Sequence, residues 1–104
     1  MPKFVFAYHG GTIPESAAAQ AEVMAAWGAW FASLGDAVLD GGNPTGQSKS
    51  IGADGSVTNG GGANPLSGYS LIKAADIDAA LAHAKGCPIL AIGGSVEVAE
   101  ALEM

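Results

Sequence analysis

Residues 4 to 8, Phe-Val-Phe-Ala-Tyr, follow Lys3 as an apolar run with no polar alternation. A strand wetted on one face alternates apolar with polar side chains, whereas a strand covered on both faces reads as a continuous apolar run. The segment therefore predicts a strand whose two faces both need a cover, and the rest of the chain must supply it.

The first cover is helical. Thr12 and Glu15 stand at capping-box spacing and Pro14 suits a first turn, so a helix is predicted from about residue 13 to Leu34, ended by Gly35. Val23, Trp27, Trp30, Phe31 and Leu34 recur at offsets of three and four and draw one apolar stripe. Residues 37 to 42, Ala-Val-Leu-Asp-Gly-Gly, read as a second short strand, and residues 66 to 74 as a later one. Asp76 has the position of an N-cap for a helix over 77 to 85, with Ile77, Ala80, Leu81 and Ala84 facing inward and Gly86-Cys87-Pro88 ending it. Residues 95 to 104 read as a last strand, with Val96, Val98 and Leu102 on one side and Glu97 on the other.

Between Gly41 and Gly62 lie eight of the sixteen glycines. Asp54-Gly55 is a turn pair there, predicting a polar hairpin with strands near 47 to 51 and 55 to 58, an edge or a flap. The order of elements predicts an α+β fold, a ferredoxin-like βαββαβ antiparallel sheet with two helices on one face, in a single domain over residues 1 to 104. Two helices cover only one face of such a sheet. The first strand is apolar on both, so the uncovered face is expected to meet the sheet of a second copy, giving a homodimer.

Charge narrows the functional classes. Four lysines, no arginine and ten carboxylates give a net charge of −6, the wrong sign for a phosphate backbone or an anionic membrane surface. No apolar run approaches the roughly 20 residues that a spanning helix needs. The short apolar start and the single Cys87 suit a cytoplasmic protein, in which Cys87 packs rather than reacts. No metal is expected, because His9, His83 and Cys87 lack the short spacings of zinc motifs. No cofactor is expected either, since the glycine run lacks the spacing of a phosphate loop.

His9 closes the first strand and shares parity with Val5 and Ala7, while Phe4, Phe6 and Tyr8 point the other way, toward the helices. Asp40 ends the second strand. A carboxylate beside an imidazole fixes its tautomer and prepares it for proton transfer, so His9 and Asp40 are the candidate catalytic pair. Tyr8, Tyr69 and Ser70 are the candidate ligand-binding residues. The reading is an isomerase- or lyase-type enzyme acting on a small organic ligand. The alternative is a non-catalytic ligand-binding or accessory dimer in which His9 satisfies a backbone group and Asp40 caps a turn.

Three stretches, MAAWGAWFASLGDAVLDGG, LSGYSLIKAADIDAALAHAKGCPIL and GGSVEVAEALEM, resemble the YCII-related family, in the branch named after a DGPF motif, over nearly the whole chain. The resemblance implies ferredoxin-like domains that dimerise through their sheets into an α/β barrel. It also implies similarity to muconolactone-isomerase-like and chlorohydroquinone-dehydrochlorinase-like proteins, in which a histidine and an aspartate are proposed to move protons. This chain departs from the branch at Val57-Thr58-Asn59-Gly60-Gly61-Gly62, where Asn59 replaces the aspartate. An asparagine shapes the same turn but cannot serve as a base.

Overall fold

A computed structural model describes residues 1–103. The apolar run forms strand β1 (Lys3–Gly10), followed by helix α1 (Ala17–Leu34) and strand β2 (Val38–Asp40). A hairpin of β3 (Lys49–Ile51) and β4 (Val57–Asn59) precedes β5 (Leu66–Lys73), helix α2 (Ile77–Ala84) and β6 (Gly94–Ala101). The fold is α+β. Its main sheet has four antiparallel strands in the order β2-β5-β1-β6 and is open, and β3 pairs only with β4 in a separate two-stranded sheet.

β1 is central, hydrogen-bonded to β5 on one side and β6 on the other. Its aromatic parity is the buried one: Phe4, Phe6 and Tyr8 lie in one core cluster with Ile72, with Trp30 of α1, and with Ala80 and Ala84 of α2. Val5, Ala7 and His9 turn to the opposite, open face and are only half-buried.

The aromatic stripe of α1 meets that core as expected. Trp30 packs between Phe6, at a centroid distance of 6.3 Å, and Phe31, at 5.0 Å, and Trp27 sets its edge against Tyr8 at 5.0 Å. The Trp30 indole N–H donates to the His83 carbonyl at 3.0 Å, tying α1 to the end of α2.

Helix α1 starts later than its capping-box spacing predicts. Ser16 is the N-cap, its Oγ accepting from the Ala19 amide at 3.1 Å. Thr12 is engaged elsewhere: its amide donates to the Ile92 carbonyl at 2.9 Å, holding residue 12 against the turn that leads into β6. Gly35, at φ +57°, ends the helix and returns its N–H to the Phe31 carbonyl.

Helix α2 begins as expected, with Asp76 Oδ1 accepting from the Ala79 amide at 2.8 Å. Its inward face is narrower than predicted. Ala80 and Ala84 are buried, but Ile77 and Leu81 remain 49% and 42% exposed, because only the small alanines lie in the core at this close approach. Cys87 packs at the helix end, 3% exposed, and burial pushes its thiol up to about 11. It therefore stays protonated at neutral pH, which suits a packing residue.

The hairpin turn is built as its residues suggest. Asp54 Oδ1 accepts from the Ser56 hydroxyl at 2.7 Å and the Ser56 amide at 2.9 Å, and these bonds hold its carboxyl below the usual range. Gly55 takes φ +85°. No helix among the described residues is long and apolar enough to cross a membrane.

Candidate functional site

The pairing of β1 slips between Tyr8 and His9: Tyr8 stands opposite Gly68, His9 opposite Leu66, and Ser67 is the extra residue of a bulge. On the other side His9 pairs with Ser95 in unbroken register. The imidazole thus sits at the end of the central strand, on the open face, with its side chain only 13% exposed.

Both ring nitrogens face oxygens. Nδ1 lies 3.1 Å from the Asn64 carbonyl and 3.3 Å from the Pro65 carbonyl, and Nε2 lies 3.2 Å from Glu97 Oε1. Carbonyls and carboxylates only accept, so a ring carrying one proton donates on one side alone, and a doubly protonated ring donates on both. The glycine-rich segment positions these carbonyls. A Cβ at Gly61 would stand 2.9 Å from Pro65 Cα, so only glycine lets the chain fold back tightly enough to lay Asn64 and Pro65 over the ring. Gly94 serves the other flank, where a Cβ would lie 2.8 Å from the His9 carbonyl oxygen.

The carboxylate at His9 is that of Glu97, not Asp40. Glu97 pairs with Ala7 across the β1–β6 ladder and is the diagonal neighbour of His9 on the same face. Its side chain is 69% exposed. Asp40 stands opposite Leu71, which pairs with Val5, so it lies two strands from β1 and four residues along from His9, about 13 Å by strand rise alone. Its Oδ1 accepts from the Gly42 amide at 2.8 Å, closing the turn after β2. Within one chain the two members of the expected pair do not meet. The alternation of β6 already separated Glu97 from Val96 and Val98; what it lacked was the knowledge that β6 lies beside β1.

The three expected ligand-binding residues divide between the faces. Tyr8 and Ser70 are buried toward the helices, where the Tyr8 hydroxyl donates to Ser70 Oγ at 2.7 Å and Ser70 donates to the Gly41 carbonyl at 2.7 Å. Burial drives the Tyr8 phenol well above its usual range. Only Tyr69 lies on the open face with His9. It pairs with Ala7, and its hydroxyl accepts from Asn43 Nδ2 at 3.4 Å.

No three His, Cys, Asp or Glu side chains among the described residues converge as a metal site would require. A surface concavity of about 720 Å³ lies at the far end of β1 from His9, where Lys3, Lys73, Leu39, Glu100 and Glu103 line it. Compared with protein-family models, curated proteins and solved structures, the chain matches none of them.

Proposed function

We propose that this chain is a YCII-like, ferredoxin-like domain that pairs with a second copy through its open sheet face, and that His9 transfers a proton on a small organic ligand held between the sheets. The step would be of the isomerase or lyase type. The strand order β2-β5-β1-β6 with two helices contributing to one core supports the fold assignment. A free, buried Cys87 suits the cytoplasm.

One observation carries the chemistry: a nearly enclosed imidazole whose Nδ1 is held by backbone carbonyls while Nε2 meets a carboxylate that solvent or ligand can reach. Backbone anchoring fixes the ring, and displacement of the exposed Glu97 side chain frees Nε2 for a ligand. Glu97 replaces Asp40 as the acidic partner in this proposal. Asp40 shapes the turn that follows β2.

The test is a nuclear magnetic resonance screen of small organic metabolites that follows the His9 ring signals. At least one compound is expected to shift them, and His9→Gln is expected to lower its turnover by about 10²-fold or more, the usual contribution of a general acid or base. Ligands that bind and leave the His9 ring unmoved would sink the proton-transfer reading. The second reading, a non-catalytic ligand-binding dimer, is favoured by the position of the concavity at Lys3 and Lys73. In that case ligand-induced shifts would gather at Lys3, Lys73 and Leu39.

A further inference from the structure

Ser67 carries a buried hydroxyl that the protein leaves unbonded. Among the described residues its Oγ is the one buried side-chain polar atom without a hydrogen-bond partner. Such atoms are rare, because burying a polar group unpaired costs its desolvation with no bond in return. Three residues further along the same strand, Ser70 shows the ordinary arrangement: its Oγ accepts from the Tyr8 hydroxyl and donates to the Gly41 carbonyl.

The bulge of β5 sets where the Ser67 side chain goes. Gly68, Ser70 and Ile72 form the buried parity of β5, so Ser67 shares the open face with Tyr69 and Leu71. Leu66, paired with His9, lies on that face too. Two successive residues therefore turn to the side of the imidazole, which the extra residue of a bulge allows, and bulges beside functional sites re-aim side chains in this way. The carbonyls here are already engaged: Thr45 donates its amide to the Ser67 carbonyl at 3.0 Å and its hydroxyl to the Leu66 carbonyl at 2.8 Å.

The neighbouring polar atoms limit what the hydroxyl can meet. The Asn64 and Pro65 carbonyls at Nδ1 and the Glu97 carboxylate at Nε2 of His9 are acceptors. The Ser67 hydroxyl is free to donate, as is the Tyr69 hydroxyl, which accepts from Asn43 and keeps its own proton. Glu97 and the two carbonyls repel an anion, but they do not oppose an uncharged ligand with an acceptor oxygen. Val5, Ala7 and Leu71 flank the position with apolar surface.

We infer, on the basis of the His9 site proposed above, that Ser67 is a ligand-binding residue of that site and that its hydroxyl donates to the oxygen of a neutral carbonyl compound. The oxygen reaches the covered Oγ when residues 61–65 shift. These residues are exposed and belong to no strand, the kind of segment that opens locally at low cost.

Ser67→Ala tests this, with Ser70→Ala as the contrast. In urea, Ser67→Ala is expected to unfold at the wild-type midpoint or above it, since no bond is lost. Ser70→Ala is expected to unfold earlier, since it takes a partner from both Tyr8 and Gly41. Acetophenone, a neutral carbonyl on an apolar ring, is the probe in a nuclear magnetic resonance titration. It is expected to shift the His9 ring signals of the wild type, and its dissociation constant is expected to rise about three- to tenfold in Ser67→Ala, the loss of one hydrogen bond. A Ser67→Ala chain that unfolds as early as Ser70→Ala would show a structural hydroxyl and overturn the inference. Equal affinity of wild type and Ser67→Ala, with His9 still shifting, would overturn it and leave the His9 site standing. Acetophenone that leaves His9 unmoved would overturn the ligand class, whereas metabolites that bind only away from His9 would remove the site itself.

Discussion

Trp30→Ala is expected to cost about 3–5 kcal/mol of folding stability, the range for removing a buried aromatic side chain. Trp30 is 6% exposed, packs against Phe6, Tyr8, Trp27 and Phe31, and carries the indole N–H bond to the His83 carbonyl that joins the two helices. Truncation opens a cavity between sheet and helix and leaves a carbonyl at the end of α2 without that donor. A small domain has only about 5–15 kcal/mol in total, so a large share of it would be lost. Leu81→Ala is the matched contrast. Sequence periodicity places Leu81 in the core, but at 42% exposure its truncation should cost under about 1 kcal/mol, within the small range typical of surface changes. Urea unfolding of both variants decides the matter, and equal losses would show that the helix faces are wrongly assigned.

Gly42→Ala is expected to be the most damaging single-methyl change in the loops. Gly42 sits at φ +71°, a conformation that costs a residue with a Cβ roughly 1–2 kcal/mol. The added Cβ would also overlap the carbonyl of Tyr69, on the strand that the chain crosses as it leaves β2. That carbonyl belongs to a paired strand and cannot withdraw cheaply, which adds about 1–3 kcal/mol of displacement. Gly55→Ala isolates the first of these costs. Gly55 has φ +85° with open space around it, so only the conformational penalty should appear in urea unfolding. If the two substitutions prove equally mild, the close passage of the Gly42 turn over β5 is not as described.

Where local rules suffice, the fold was legible from residues alone. The unbroken apolar run of β1, the Asp76 cap, the Gly35 stop and the Asp54-Gly55 turn each depend on a few neighbours in the chain, and each is found near its expected place. Where two local options compete, tertiary contacts decide. The capping-box spacing marks Thr12, but the bond from its amide to Ile92 holds residue 12 against the turn before β6, and the helix is capped four residues later by Ser16.

The candidate site was half legible, for a reason of topology. The parity of β1 placed His9 on the face away from the aromatic core, but the residue beside it depends on which strands flank β1. Because β5 separates β2 from β1 while β6 adjoins it, the carboxylate at His9 comes from Glu97, 88 residues away in the chain, and not from Asp40. No pattern within either strand contains that information.

The most direct measurement is the mass of the chain in solution, by sedimentation equilibrium at micromolar concentration, for the wild type and for Val5→Lys at the centre of the open face. The wild type is expected at the mass of two chains. The variant, with an added charge beside Leu71 and Ala99 on the open face, is expected at the mass of one, with its circular dichroism unchanged. A wild-type chain that sediments as a single copy at tens of micromolar would contradict the open-face dimer and the shared His9 site built on it.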